Sequence, residues 1–188
     1  HAASYGIVAY QTAWMKAMYP VQYMTSVLAA ESGDNEKIAA ISHECRRMGI
    51  NVLPPDVNES FKNFAMVSKK GEPGRIRFGL SAIKNVGENI CEVIYRERKE
   101  NGQYKDLKDL LTRVSHKDLN KRSLDSMAKA GALDCFGYDR GLLVSNMDHI
   151  LAFVKHNREK QGSLQDSLFA GTAIELDDQV RLDPSPDA

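Results

Sequence analysis

The chain has 188 residues, 43% of them hydrophobic and 27% charged, which is enough apolar material for a core and too much for a chain disordered throughout. Its 25 Lys and Arg balance 25 Asp and Glu, which excludes a uniformly basic nucleic-acid binder. No apolar run approaches the roughly 18–20 residues of a membrane span, and the opening HAASYGIVAY has neither an initiator Met nor a basic leader, so the chain reads as a piece of a longer protein without a signal peptide.

Residues 1–19 place Tyr5, Val8, Ala9, Thr12, Met15 and Tyr19 at helical spacing, and Pro20 ends or kinks that helix. A second helix is expected over Val21–Ala30, closed by Ser32-Gly33. Asp34 is a good N-cap for a third, which sets Ile38, Ile41 and Cys45 on one face, Arg46 and Arg47 in its last turn and Gly49 at its C-terminal cap. The character changes at Ile50: INVLPPDVNES holds a short strand and a Pro-Pro turn, with Asp56 and Glu59 as turn residues. Residues 64–67 and 75–78 flank SKKGEPG and read as a β-hairpin. Helical pattern returns near 80–84, 88–99, 106–113, 119–130 and 139–160. The last 18 residues hold two prolines and five acids and read as disordered. The fold class expected is mainly α with a small β-hairpin, α+β.

Charge is uneven. Residues 69–130 carry 15 basic and 9 acidic groups, whereas residues 171–188 carry 1 and 5. The middle is therefore the place for a polyanion and the tail is not. Cys45, Cys91 and Cys135 form no CxxC, and the five histidines form no ligand cluster with them. Neither a zinc site nor a disulfide framework is expected, and reduced thiols in a cytosolic protein are the simple reading.

Three segments could carry function. In LSAIKNVGENICEVIYRER, a short apolar helix meets the turn Lys84-Asn85-Val86-Gly87 and a second amphipathic helix, the layout of a helix-hairpin-helix. Asn85 and Gly87 are expected to supply positive φ, with Asn85 standing where a glycine is usual, and Val86 to pin the hairpin to the core. Backbone N–H groups at the start of the second helix would then form a phosphate seat that reads no base, with the Lys84 cation beside it. The same spacing also suits a plain αα-turn. In HKDLNKRSLDSMAKAGALDCFG, Leu119, Leu124, Met127 and Ala128 make an apolar stripe with Lys117, Lys121 and Arg122 at its N-terminal end; this is either a second hairpin packed on the first or a solvated basic face. In SLQDSLFAG, Leu168 and Phe169 stand in a polar setting with Gln165 ahead of them. They suit either a linear peptide that docks in a groove or a return onto the chain's own core. No P-loop, GxGxxG, HExxH or nucleophile elbow is present, and no carboxylate pair sits in a strand context suited to two magnesium ions. The residues describe a binding module.

The ordered blocks HAASYGIVAYQTAWMKAMYP, HECRRMGINVLPPDVNES, IRFGLSAIKNVGENI, NKRSLDSMAKAGALD and QDSLF resemble the replicative bacterial DNA polymerase III alpha subunits, a C-family of polymerases, from residue 1 to about residue 171. The resemblance implies that residues 1–48 end the fingers, 49–79 form a β-hairpin connector, 80–160 hold the helix-hairpin-helix region, 161–171 bind a sliding clamp and 172–188 form an acidic tail. It implies duplex contacts at Lys84, Asn85, Val86, Gly87, Asn89, Lys121 and Arg122. It also implies that Gln165 enters a polar pocket of the clamp while Leu168 and Phe169 fill a hydrophobic groove. The implied partners are primer–template duplex, the clamp and the other holoenzyme subunits, in a bacterial cytoplasm and with no membrane. The family's catalytic carboxylates and magnesium belong to a palm outside this segment, so no catalytic residue, metal or cofactor is expected here. The fingers of that family help to hold nucleotide and template; His1, Tyr5, Gln11 and Lys16 are the candidates here, with Tyr5 equally suited to a core. The apolar face of residues 1–48 is expected to be partly exposed. An interaction scaffold that uses only the clamp peptide is the alternative.

Overall fold

Pro20 starts a helix. In the computed structural model, which describes residues 1–166, α1 spans Ala2–Met18 and α2 spans Pro20–Ala30, separated only by Tyr19. Proline at the first helical position loses nothing, because its missing N–H has no intrahelical partner there. Helix α3, Asn35–Arg47, begins at Asp34, whose carboxylate accepts from the N–H groups of Glu36 and Lys37 at 3.1 Å each. It ends at Met48, and Gly49 follows at φ +74.

Two strands were expected to pair as a hairpin, and β2 (Ala65–Val67) and β3 (Arg75–Arg77) do so in antiparallel register. The strand after Ile50, β1 (Val52–Leu53), joins them on the other side of β3, in parallel, and makes a three-stranded mixed sheet in the order β1-β3-β2. A 3-10 turn, Leu80–Ala82, follows the sheet where a short helix over 80–84 was expected.

The chain divides into two compact units. The first contains His1–Pro55 and Glu59–Ala82. Its core joins Met24 and Leu28 of α2, Ile38 and Cys45 of α3, Ile50, Phe64, Ile76 and Ala82, and the Phe64 and Phe78 rings lie 4.5 Å apart. Arg77 is buried, donates to the Pro54 carbonyl at 2.9 Å and pairs with Glu59. Glu59 thus belongs to an ion pair as well as to a turn.

The second unit contains Asp56–Asn58 and the chain from Ile83 onward. Its helices are α4 (Glu88–Asn101), α5 (Leu107–Arg113), α6 (Lys121–Ala130), α7 (Arg140–Ser145) and α8 (Met147–Asp166). Ile90, Ile94, Leu107, Leu110, Leu119, Leu124, Met127, Leu133 and Leu143 are fully or nearly fully buried. One helix was expected over 139–160. The buried Asn146 interrupts it: its amide donates to the Leu142 carbonyl at 2.9 Å and closes α7 before α8 begins. Asn58 holds the loop after α4 by accepting from the Tyr104 N–H at 2.8 Å and donating to the Tyr104 carbonyl at 2.9 Å. Arg113 lies across the Tyr104 ring, 4.5 Å from its centroid, and bonds Glu97 and Asp109 at 2.9 Å each.

Candidate nucleic-acid interface

The turn before α4 is built from a buried–exposed alternation. Ile83 and Val86 are buried, whereas Lys84, Asn85, Gly87, Glu88 and Asn89 are exposed. The Val86 N–H bonds the Ile83 carbonyl at 3.1 Å, so Val86 anchors the turn as its apolar character requires. Asn85 takes φ +64, the only positive φ at a non-glycine residue among the described residues, and its amide donates to Ser126 Oγ of α6 at 3.1 Å. Asparagine therefore serves where a glycine is usual because its short side chain tolerates the left-handed region and finds a partner there.

Gly87 does not supply positive φ. It is the N-cap of α4, extended at φ −71 and ψ 160, and it offers no side chain to the first turn. A Cβ built on it meets nothing within 4 Å. Neither backbone conformation nor packing within the chain calls for glycine here. A glycine at this place leaves the mouth of α4 open to approach, and the helix dipole puts partial positive charge there. Lys84, three residues before Gly87 in the same turn, is exposed. The Glu88 carboxylate in the first turn suits the dipole and opposes an incoming anion.

Helix α6 begins differently. Asn120 accepts from the N–H groups of Arg122 and Ser123 at 3.0 and 3.2 Å, and Ser123 Oγ accepts in return from the Asn120 N–H at 2.9 Å, a complete capping box. Two of its N-terminal donors, the N–H groups of Arg122 and Ser123, are thus engaged by a side chain of the chain itself. Lys121 pairs with Asp148 of α8, while Arg122 is exposed.

The Asn85–Ser126 bond ties the Lys84–Gly87 turn to α6, the helix that carries Lys121 and Arg122. Sequence reasoning missed Ser126, Asn120 and Asp148; the Asn-x-x-Ser spacing ahead of an apolar stripe was the available sign of the cap. The backbone of Gln165 falls in the last turn of α8. Leu168, Phe169 and the acidic tail of 172–188 lie outside the described residues. Among the described residues no group of three or more His, Cys, Asp or Glu is placed to hold a metal ion, and no helix is long and apolar enough to cross a membrane.

A family model described as the helix-hairpin-helix motif matches residues 49–143, half of the chain. The chain belongs to the helix-hairpin-helix family. The helix-hairpin-helix match spans the turn before α4 and the whole of α5 and α6. Curated relatives extend the likeness over nearly the whole sequence. DNA polymerase III subunit alpha of Thermus aquaticus is 42% identical over 186 residues, 99% of this chain and 14% of the relative. The subunit of Borreliella burgdorferi is 38% identical over 181 residues, 96% of this chain and 15% of the relative. That of Mycobacterium tuberculosis is 42% identical over 151 residues, 80% of this chain and 12% of the relative. This helix-hairpin-helix chain is therefore similar to one segment of the alpha subunit and spans less than one-sixth of its length.

Proposed function

We propose that the chain is the segment of a replicative DNA-directed DNA polymerase that holds duplex DNA by its phosphates and ties the enzyme to a sliding clamp. The carrying observation is the open N-terminus of α4 at Gly87, within a matched helix-hairpin-helix. Backbone N–H groups there, with Lys84 and Asn89 at the rim and Arg122 on α6, would receive phosphate oxygens and read no base. The capping box at Asn120 and the Lys121–Asp148 pair favour α6 as a brace for the first hairpin more than as a second seat. Gln165, Leu168 and Phe169 form the clamp peptide in this reading. The catalytic carboxylates and their magnesium belong to parts of the polymerase beyond this chain, as do its contacts with other holoenzyme subunits.

The test is duplex binding by fluorescence anisotropy across salt concentrations. A seat for a few phosphates predicts weak binding, indifferent to sequence, with a log–log salt slope of about −2 to −4. Lys84→Glu should weaken binding roughly tenfold and reduce the slope by about 1. Gly87→Val keeps an allowed backbone, since φ is −71 and the space around Cβ is open, so its loss of binding would report blocked approach. A slope near zero, a preference for one sequence, or parental binding by both variants would leave Lys84–Gly87 as only a turn.

A further inference from the structure

A cleft in the first unit has no part in the proposed DNA or clamp contacts. Ser42 and Arg46, one turn apart on α3, form one wall; Ile50, Asn51, Val52, Leu53, Pro54 and Phe78 form the rest, around about 310 Å³. That is the lower end of ligand-site volumes, roughly 300–1,000 Å³.

The strand side of the cleft is an unfinished sheet. β1 is an edge strand, with β3 on one side only. The Ile76 N–H donates to the Asn51 carbonyl at 2.9 Å and the Phe78 N–H to the Leu53 carbonyl at 3.0 Å. Successive peptide groups of a strand point in opposite directions, so the N–H and carbonyl of Val52 point away from β3. No backbone group of another described residue takes them. Such an edge is a template for one more strand.

The helix side supplies charge. Arg47 is held by Glu44 at 2.9 Å, whereas Arg46 is exposed and makes no ion pair with any described residue. Ser42 adds a hydroxyl beside it. Between helix and edge, Ile50 is buried and Leu53 and Phe78 are half-buried, so an apolar side chain has a floor to rest on.

We propose that this cleft takes an extended peptide from a partner protein, which adds a strand beside β1 and sets a carboxylate against Arg46. A free donor and acceptor on one residue of an edge strand match a peptide backbone. A nucleotide phosphate would use Arg46 and leave both groups unpaired. The next outward-facing residue, Pro54, has no N–H and its carbonyl accepts from Arg77 at 2.9 Å, so pairing is limited to Val52 and the footprint is short. The carboxylate is either an Asp or Glu side chain or a peptide C-terminus, since both present the same two oxygens to a guanidinium.

The experiment pans a phage-displayed library of random octapeptides on the full chain, then titrates synthetic peptides of the selected sequences into ¹⁵N-labelled chain. Each peptide is made with a free and with an amidated C-terminus, which separates the two carboxylate sources. The expected result is an acidic position beside alternating apolar ones, amide shifts centred on Val52 and Leu53, and at least tenfold weaker binding by Arg46→Glu. Arg46→Lys should retain most of the affinity, and because Arg46 is exposed and unpaired both variants should fold. Selection of no acidic consensus, affinity that survives Arg46→Glu, or shifts away from the cleft would overturn the proposal. A parallel titration with dAMP that moves Val52 more than any peptide would assign the cleft to nucleotides instead.

Discussion

Gly79 and Gly87 stand eight positions apart and answer opposite demands. A Cβ on Gly79 would lie 2.5 Å from the Asn63 carbonyl carbon and 2.6 Å from the Phe64 nitrogen. Backbone cannot move aside as a flexible side chain can, so Gly79→Ala should cost about 1–3 kcal/mol. Gly87 is open on all sides, and Gly87→Ser would place a hydroxyl over the first turn of α4 as an N-cap. Stability should then stay level or rise by a few tenths of a kcal/mol while duplex affinity falls, because the serine oxygen takes a donor that phosphate would use. Urea midpoints for both variants, with anisotropy for the second, check the contrast. A loss of stability at Gly87→Ser together with unchanged DNA binding would place the glycine in the fold instead of the interface. Glycine is the same letter at both positions; what differs is the neighbour, Asn63 in one case and none in the other. The positive φ expected at Gly87 is absent because an N-cap residue takes extended backbone, here φ −71 and ψ 160, whereas Asn85, which tolerates the left-handed region at some cost, does take positive φ, at +64.

At the scale of elements, the local signals for starting and stopping helices were the most legible. Asp34 caps α3 through two side-chain bonds, Pro20 marks the break after α1 although it opens α2 itself where that helix was expected from Val21, and Gly49 follows α3 in the left-handed region. Each depends on residues within a few positions. The split of 139–160 at Asn146 was not legible, because asparagine in an amphipathic run is unremarkable until burial directs its amide to the carbonyl behind it. Helix α3 also carries a testable electrostatic cluster. Arg47 first and Lys16 second hold the Glu44 carboxyl down to about 2, against an ordinary value of 4.5. The folded value lies below the unfolded one. The contribution to stability is therefore complete above about pH 4.5 and is lost as pH falls toward 2. An NMR titration should show the Glu44 midpoint rising in Arg47→Met, and rising less in Lys16→Met. An unchanged midpoint in both would mean that neither cation sets it. Lys16 is also the link that ties α1 to α3, through its 2.8 Å bond to Glu44.

On the scale of the whole molecule, α1 is the part least explained by its own unit. It buries no residue; Tyr5 is 74% exposed and Ile7 60%, so a core role for Tyr5 is excluded within this unit and the expected exposed face is present. In the proposed function, weak holding of DNA at one hairpin would suit a larger machine in which a second tether raises effective concentration. The clamp peptide is that tether in the proposed function. Calorimetry against a bacterial sliding clamp should give about micromolar affinity, roughly −8 kcal/mol, and a Leu168→Ala, Phe169→Ala double variant should abolish it. Binding that persists in the double variant would move the clamp contact elsewhere on the chain. The sequence by itself determined most of the order of helices and strands, the Asp34 cap, the basic middle and the place of the Lys84–Gly87 turn, since these follow from periodicity and from neighbours a few residues away. Only the tertiary structure decided that β1 lies beside β3, that Asn85 bonds Ser126 and that Asp148 claims Lys121 while Arg122 stays exposed. Those outcomes depend on groups tens of positions apart, and backbone pairing and charge neutralisation are settled only when folding brings them within a few ångströms.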